Sequence, residues 1–94
     1  GLHQLNHPTH LFVDAQKTLY VSDTGNDRVM KWMPGAKEGI VVAGGNGQGK
    51  EVTQLCYPKG VWVDGCGHAH VADGGNDRVM RWEKGATQGT VVVG

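Results

Sequence analysis

Apolar residues come in short bursts along this chain, never in the one-faced stripe of a helix: Leu11-Phe12-Val13, Leu19-Tyr20-Val21, Val29-Met30 and Ile40-Val41-Val42-Ala43. Bursts of that length, rich in β-branched and aromatic side chains and bounded by turn formers, are strand signals. The segments from Leu11 to Asp14, Leu19 to Ser22, Arg28 to Met33 and Gly39 to Ala43 are therefore expected to be strands, and their counterparts recur fifty positions on. The intervening residues are turn chemistry: Ala15-Gln16-Lys17 (Gly65-Cys66-Gly67 in the second half), Asp23-Thr24-Gly25-Asn26 and Pro34-Gly35-Ala36-Lys37. Gly and Asn accept positive φ, and an Asp side chain can bond the backbone two residues on. Gaps this short make successive hairpins, so each half is expected to form a four-stranded antiparallel meander. The runs Leu11-Phe12-Val13, Val61-Trp62-Val63 and Val91-Val92-Val93 do not alternate with polar residues. Such runs predict sheets covered on both faces, and sheets stacked face to face around an axis make a β-propeller.

The two halves are copies of each other. Gly25-Asn26-Asp27-Arg28-Val29-Met30 returns unchanged as Gly75-Asn76-Asp77-Arg78-Val79-Met80 with no insertion or deletion, and residues 1 to 44 match 51 to 94 at 20 of 44 positions. A fixed period of this size is the signature of a repeat architecture. The expected organisation is one blade over residues 1–50, ending in an interblade linker, and a second over residues 51–94. The linker Gly44-Gly45-Asn46-Gly47-Gln48-Gly49-Lys50 looks superficially like a phosphate loop. No Ser or Thr follows the Lys and no helix pattern follows the loop, so a flexible surface connection is expected instead.

The run Leu55-Cys56-Tyr57-Pro58-Lys59-Gly60-Val61-Trp62-Val63-Asp64, followed by Val71-Ala72-Asp73-Gly74-Gly75-Asn76-Asp77-Arg78-Val79, resembles the NHL repeat, and the resemblance covers essentially the whole chain twice. It implies a propeller, usually six-bladed in that family, with the first strand of each blade lining a central channel. Two departures stand out: Asp27 and Asp77 occupy the place of the family's namesake histidine, and His10 stands where the second copy keeps Gly60. Two blades cannot close a ring. Because the first and last residues fall at nearly the same phase of the repeat, three chains head to tail are expected to supply six blades as a homotrimer. A longer parent polypeptide carrying the other blades is the alternative.

Composition narrows function more than it defines it. Nine basic and nine acidic side chains cancel, which gives no positive field for a nucleic-acid backbone or an anionic membrane, although some NHL propellers bind RNA. No apolar stretch approaches the roughly 20 residues that span a bilayer, so the expectation is a soluble chain, cytoplasmic or secreted with its leader already removed. Cys56 and Cys66 are separated by a whole strand, which at about 3.3 Å per residue holds them far beyond disulfide reach. Free thiols favour a reducing compartment.

The candidate chemistry follows from chain direction. Reversal at each hairpin gathers the Pro8 region, the Asp23-to-Asp27 turn and the linker on one rim, where His7, Thr9, His10, Tyr57 and Lys59 are the ligand-binding candidates. In a trimer His10, or His7, would appear three times about the axis, and three converging imidazoles can hold zinc with one position open. Peptidyl-hydroxyglycine amidating lyases use this kind of propeller with zinc-binding histidines just after the blade proline. Thr9 and Lys59 stand there in this chain, so that activity is not expected. A second metal candidate is Cys66-Gly67-His68-Ala69-His70 on the opposite rim, where Cys66, His68 and His70 could share one strand face. Asp14, Asp23 and Arg28, with Asp64, Asp73 and Arg78, recur in both copies and read as structural braces. The expected function is a non-enzymatic scaffold binding a protein, peptide or glycan. The rival is a metal-dependent lyase or hydrolase using channel histidines.

Overall fold

A computed structural model describes residues 4–94. They form two four-stranded antiparallel sheets in simple meander order. The first holds β1 (Pro8–Val13), β2 (Leu19–Asp23), β3 (Arg28–Trp32) and β4 (Ile40–Gly44); the second holds β5 (Pro58–Val63), β6 (Ala69–Asp73), β7 (Arg78–Trp82) and β8 (Thr90–Val93). All eight expected strands form, in the expected pairing. The first strand of each sheet begins three residues earlier than its apolar run, at Pro8 and Pro58. A register irregularity between Pro8 and His10, repeated between Pro58 and Gly60, absorbs Thr9 and Lys59 without a cross-strand partner. A polar residue at such a bulge hides the strand start from a hydrophobicity reading.

Short 3-10 turns, Thr24–Asn26 and Gly74–Asn76, join the second and third strands of each sheet and end at Asp27 and Asp77 in the left-handed conformation. The segment before each sheet runs under this turn, and Gly25 N–H bonds Asn6 C=O at 2.7 Å, as Gly75 N–H bonds Cys56 C=O. A Cβ at Gly25 would lie 2.6 Å from the Asn6 carbonyl oxygen, so glycine is required there. Asp23 and Asp73 do not cap the turns by the expected side-chain bond. Instead the fully buried Asp23 takes Asn6 N–H at 2.7 Å, Asn26 Nδ2 at 2.9 Å and Arg28 Nε at 2.7 Å, and Asp73 repeats the pattern with Cys56, Asn76 and Arg78. Arg28 and Arg78 also donate to the carbonyls of Gln4 and Gln54, which braces the incoming segment as the repeat of these residues suggested.

The core lies between the sheets. The first sheet contributes Tyr20, Val29 and Ala43 with Phe12 partly buried, the second contributes Val61, Val63, Ala69, Val71, Met80 and Trp82, and Leu55 closes the end. These residues come from opposite faces of the repeat. Val61, Val63 and Trp82 correspond to Leu11, Val13 and Trp32, which point away from the joint, and Tyr20 and Ala43 correspond to His70 and Val93. Of the non-alternating runs, the two in β1 and β5 are thus covered on one face only, with Val61 2% exposed but Trp62 54% and Leu11 62%, and Val91-Val92-Val93 is exposed throughout.

The linker is knitted rather than flexible. Asn46 donates to the Thr53 carbonyl at 2.9 Å, Gln54 returns a bond to the Asn46 carbonyl, and Gln48 bridges to Leu55. Asn76 and Arg78 then hold the carbonyls of Gly49 and Lys50. Its glycine content reads as freedom in sequence. In the fold, Gly44, Gly45 and Gly47 take the positive φ that this folded connection demands.

Candidate functional site

Chain reversal at the hairpins does bring the candidates to one rim. His7 and Tyr57 occupy equivalent positions just before β1 and β5, both at positive φ, 52° and 49°. The Tyr57 backbone N–H crosses from the second sheet to the first and bonds Asp27 Oδ1 at 2.8 Å. That bond gives Asp27 a structural role: a short carboxylate on a left-handed residue reaches the neighbouring sheet's backbone. The Tyr57 side chain, freed from any role in the core, is 52% exposed, and the Lys59 side chain is exposed beside it. His7 is exposed, with Nδ1 2.6 Å from the Asn6 side-chain oxygen.

The other two candidates are structural in part. Thr9 and Thr24 hydroxyls lie 2.7 Å apart, and Thr24 Oγ1 donates at 2.6 Å to the Pro58 carbonyl on the neighbouring sheet. Thr24 has therefore spent its proton on Pro58, so Thr9 must be the donor to Thr24. His10 Nδ1 accepts Val61 N–H at 3.2 Å across the joint. An imidazole accepting through Nδ1 carries its neutral-form proton on Nε2, and so presents a donor rather than a metal-binding lone pair beyond the strand edge. As placed, His10 is a clasp between β1 and β5.

On the opposite rim, Asp64 organises the hairpin between β5 and β6. Its Oδ1 accepts the backbone N–H groups of Cys66 and His68, both at 3.0 Å, and Oδ2 lies 3.3 Å from His70 Nε2. Its carboxyl is held below the usual range, chiefly by the bond from the His68 backbone, against a smaller opposing effect of burial and with further help from His70 and Cys66. Asp14 accepts from Gln16 and Thr18 in the same way. His68 Nδ1 accepts Lys84 N–H at 3.1 Å, the His70 ring lies tilted by 55° against Trp62 with centroids 4.7 Å apart, and Cys66 is exposed. Cys66, His68 and His70 are thus sent to different partners, because Cys66 lies in the turn and breaks the alternation that would align them. Among the described residues no group of three or more His, Cys, Asp or Glu is placed to hold one metal ion.

Cys56 is set apart by its surroundings. Its thiol is raised above the ordinary range by burial first and then by the carboxylates of Asp27 and Asp73, so less thiolate is present at neutral pH. Tyr20 is likewise raised, by burial and then by its hydrogen-bonded neighbour Asp14. A concavity of about 730 Å³ opens away from the candidate rim, at the opposite end of the joint, among Phe12, Tyr20, Lys31, Met33, Asp64 and Lys84. It lies between the diverging hairpins after β1 and β5. Sequence reading missed it, since Lys31 and Lys84 carry no motif. Thr24 was also missed as a joint residue, because its counterpart is Gly74 and the repeat does not mark it.

No protein-family model matches the chain, and no curated protein matches it. No helix among the described residues is long and apolar enough to cross a membrane.

Proposed function

We propose that this chain is a two-blade unit of an NHL-type propeller whose ring is completed by two further copies. In this reading it acts as a non-enzymatic binding scaffold that meets a protein, peptide or glycan at the rim of His7, Thr9, Tyr57 and Lys59. The observation that carries the reading is how the rim's polar groups are spent. Thr24 and His10 bond across to the second sheet, whereas the Tyr57 ring and the Lys59 side chain stand exposed, with the Tyr57 backbone pinned by Asp27. An exposed aromatic and an exposed cation two residues apart, with the backbone pinned at Tyr57, suit recognition of a carbonyl-rich or hydroxyl-rich ligand. The zero net charge argues against a polyanion as that ligand.

Catalysis by channel histidines is disfavoured by the His10 tautomer, and the Cys56 thiol is shifted away from its thiolate form. The test pairs metal analysis with ligand screening on the intact chain. The scaffold reading expects no stoichiometric zinc, no loss of binding on chelation, and loss of ligand capture from peptide and glycan arrays in the Tyr57→Ala/Lys59→Ala variant at unchanged melting temperature. Stoichiometric zinc, with a hydrolytic or lyase activity that chelator abolishes, would overturn it.

A further inference from the structure

The joint buries two faces, and outer residues of each have repeat counterparts that are exposed or half-buried elsewhere in the molecule, while Val21 and Met30, the counterparts of Val71 and Met80, are buried within their own sheet. On the second sheet the joint buries Leu55 (0% exposed), Val61 (2%) and Val63 (7%); their repeat counterparts on the first sheet are Leu5 (39%), Leu11 (62%) and Val13 (55%). On the first sheet it buries Tyr20 (7%) and Ala43 (1%), with Phe12 packed alongside; their counterparts on the second sheet are His70, half-buried, Val93 (62%) and Trp62 (54%). The open faces are therefore a matched pair whose complementarity is already displayed inside the chain.

From this we infer that the open face of Leu5, Leu11 and Val13 on one copy seats on the Trp62, His70 and Val93 face of a second copy, in the same register as the internal joint. The inference rests on the ring reading above and specifies its contacts. Asp77, at φ 50° as Asp27 is at 53°, takes the His7 backbone N–H of the next copy, the counterpart of the bond from Tyr57 to Asp27. Two internal clasps have no counterpart at this second joint, because Gly60 replaces His10 and Gly74 replaces Thr24. The contact is heterologous, since the two patches differ, so each copy has one donor and one acceptor face.

The experiment uses two single variants, Leu11→Asp and Trp62→Asp, each at a position already more than half exposed in the chain, so that the internal core is untouched. By light scattering the unmodified chain is expected at about 30 kDa, three times its 10.0 kDa, and each variant alone at the single-chain mass. Mixed together, they are expected to form a one-to-one pair of about 20 kDa, because each retains the face the other lacks. A second set, Val13→Lys with Val93→Lys, repeats the test with different side chains and guards against one variant failing to fold. A pair on mixing, but a wild-type assembly of some number other than three, would keep this joint and remove the ring of three. Variants that retain the wild-type mass would overturn the joint and leave the ring to another surface. An unmodified chain that stays at 10.0 kDa, or variants that stay single in both mixtures, would overturn the inference.

Discussion

At the scale of single residues, the most consequential choice in this chain is a buried carboxylate opposite a guanidinium, made twice. Asp23 and Asp73 are 0% exposed, and their Arg partners sit 2.7 and 2.8 Å away with side chains 8% and 10% exposed. Removing one partner of such a pair strands a buried charge, which generally costs about 3–5 kcal/mol. The exposed Arg81–Glu83 pair, at 3.1 Å, has no such leverage because water screens it. Asp23→Ala is therefore expected to lower the urea midpoint by the equivalent of about 3 kcal/mol or more, and Glu83→Gln by less than about 1 kcal/mol. Equal midpoints for the two variants would mean that Arg28 finds other acceptors when Asp23 is gone, the Gln4 carbonyl being the nearest at hand.

Between elements, the junctions turn on residues whose backbone conformation and side-chain chemistry are both required. Asp27 is left-handed, φ 53°, and its carboxylate holds Tyr57 N–H. Glycine at this position would keep the conformation and lose the bond; alanine would lose the bond and add the left-handed penalty, about 1 kcal/mol. The expected order of melting temperature is wild type, then Asp27→Gly, then Asp27→Ala, with Tyr57 becoming more mobile in both variants. Inversion of the last two would show that the left-handed cost is not borne there. This junction also marks where sequence reading stops. Strands, hairpins and pairing were legible because short apolar bursts and turn residues act locally, and the repeat confirmed each assignment by giving it twice. The roles of Thr24, His10 and Asp27 were not legible. Their partners, Pro58, Val61 and Tyr57, lie 34, 51 and 30 residues away, and nothing in the residue types says which face meets which. The linker misread as flexible has the same cause, since its hydrogen bonds run to Thr53, Asn76 and Arg78 beyond it.

For the whole molecule, the arithmetic of faces governs stability. A 94-residue chain with one internal joint and two open faces has little core per residue, and residues such as Leu11, Val13, Trp62 and Val93 remain more than half exposed. Burying a Val or Leu side chain fully is worth about 1.5–3 kcal/mol, so closing one further joint of this kind matches a large share of the 5–15 kcal/mol that holds a typical domain folded. Association of the folded form draws the unfolding equilibrium toward the native state by mass action, which makes the melting temperature depend on concentration. Raising the protein from about 1 to about 100 μM is therefore expected to raise the melting temperature of the unmodified chain by several degrees in calorimetry. The same series on Leu11→Asp should be flat, because one broken face prevents every copy from closing a ring. A flat series for both would show that two sheets suffice alone and that the open faces contribute nothing to folding.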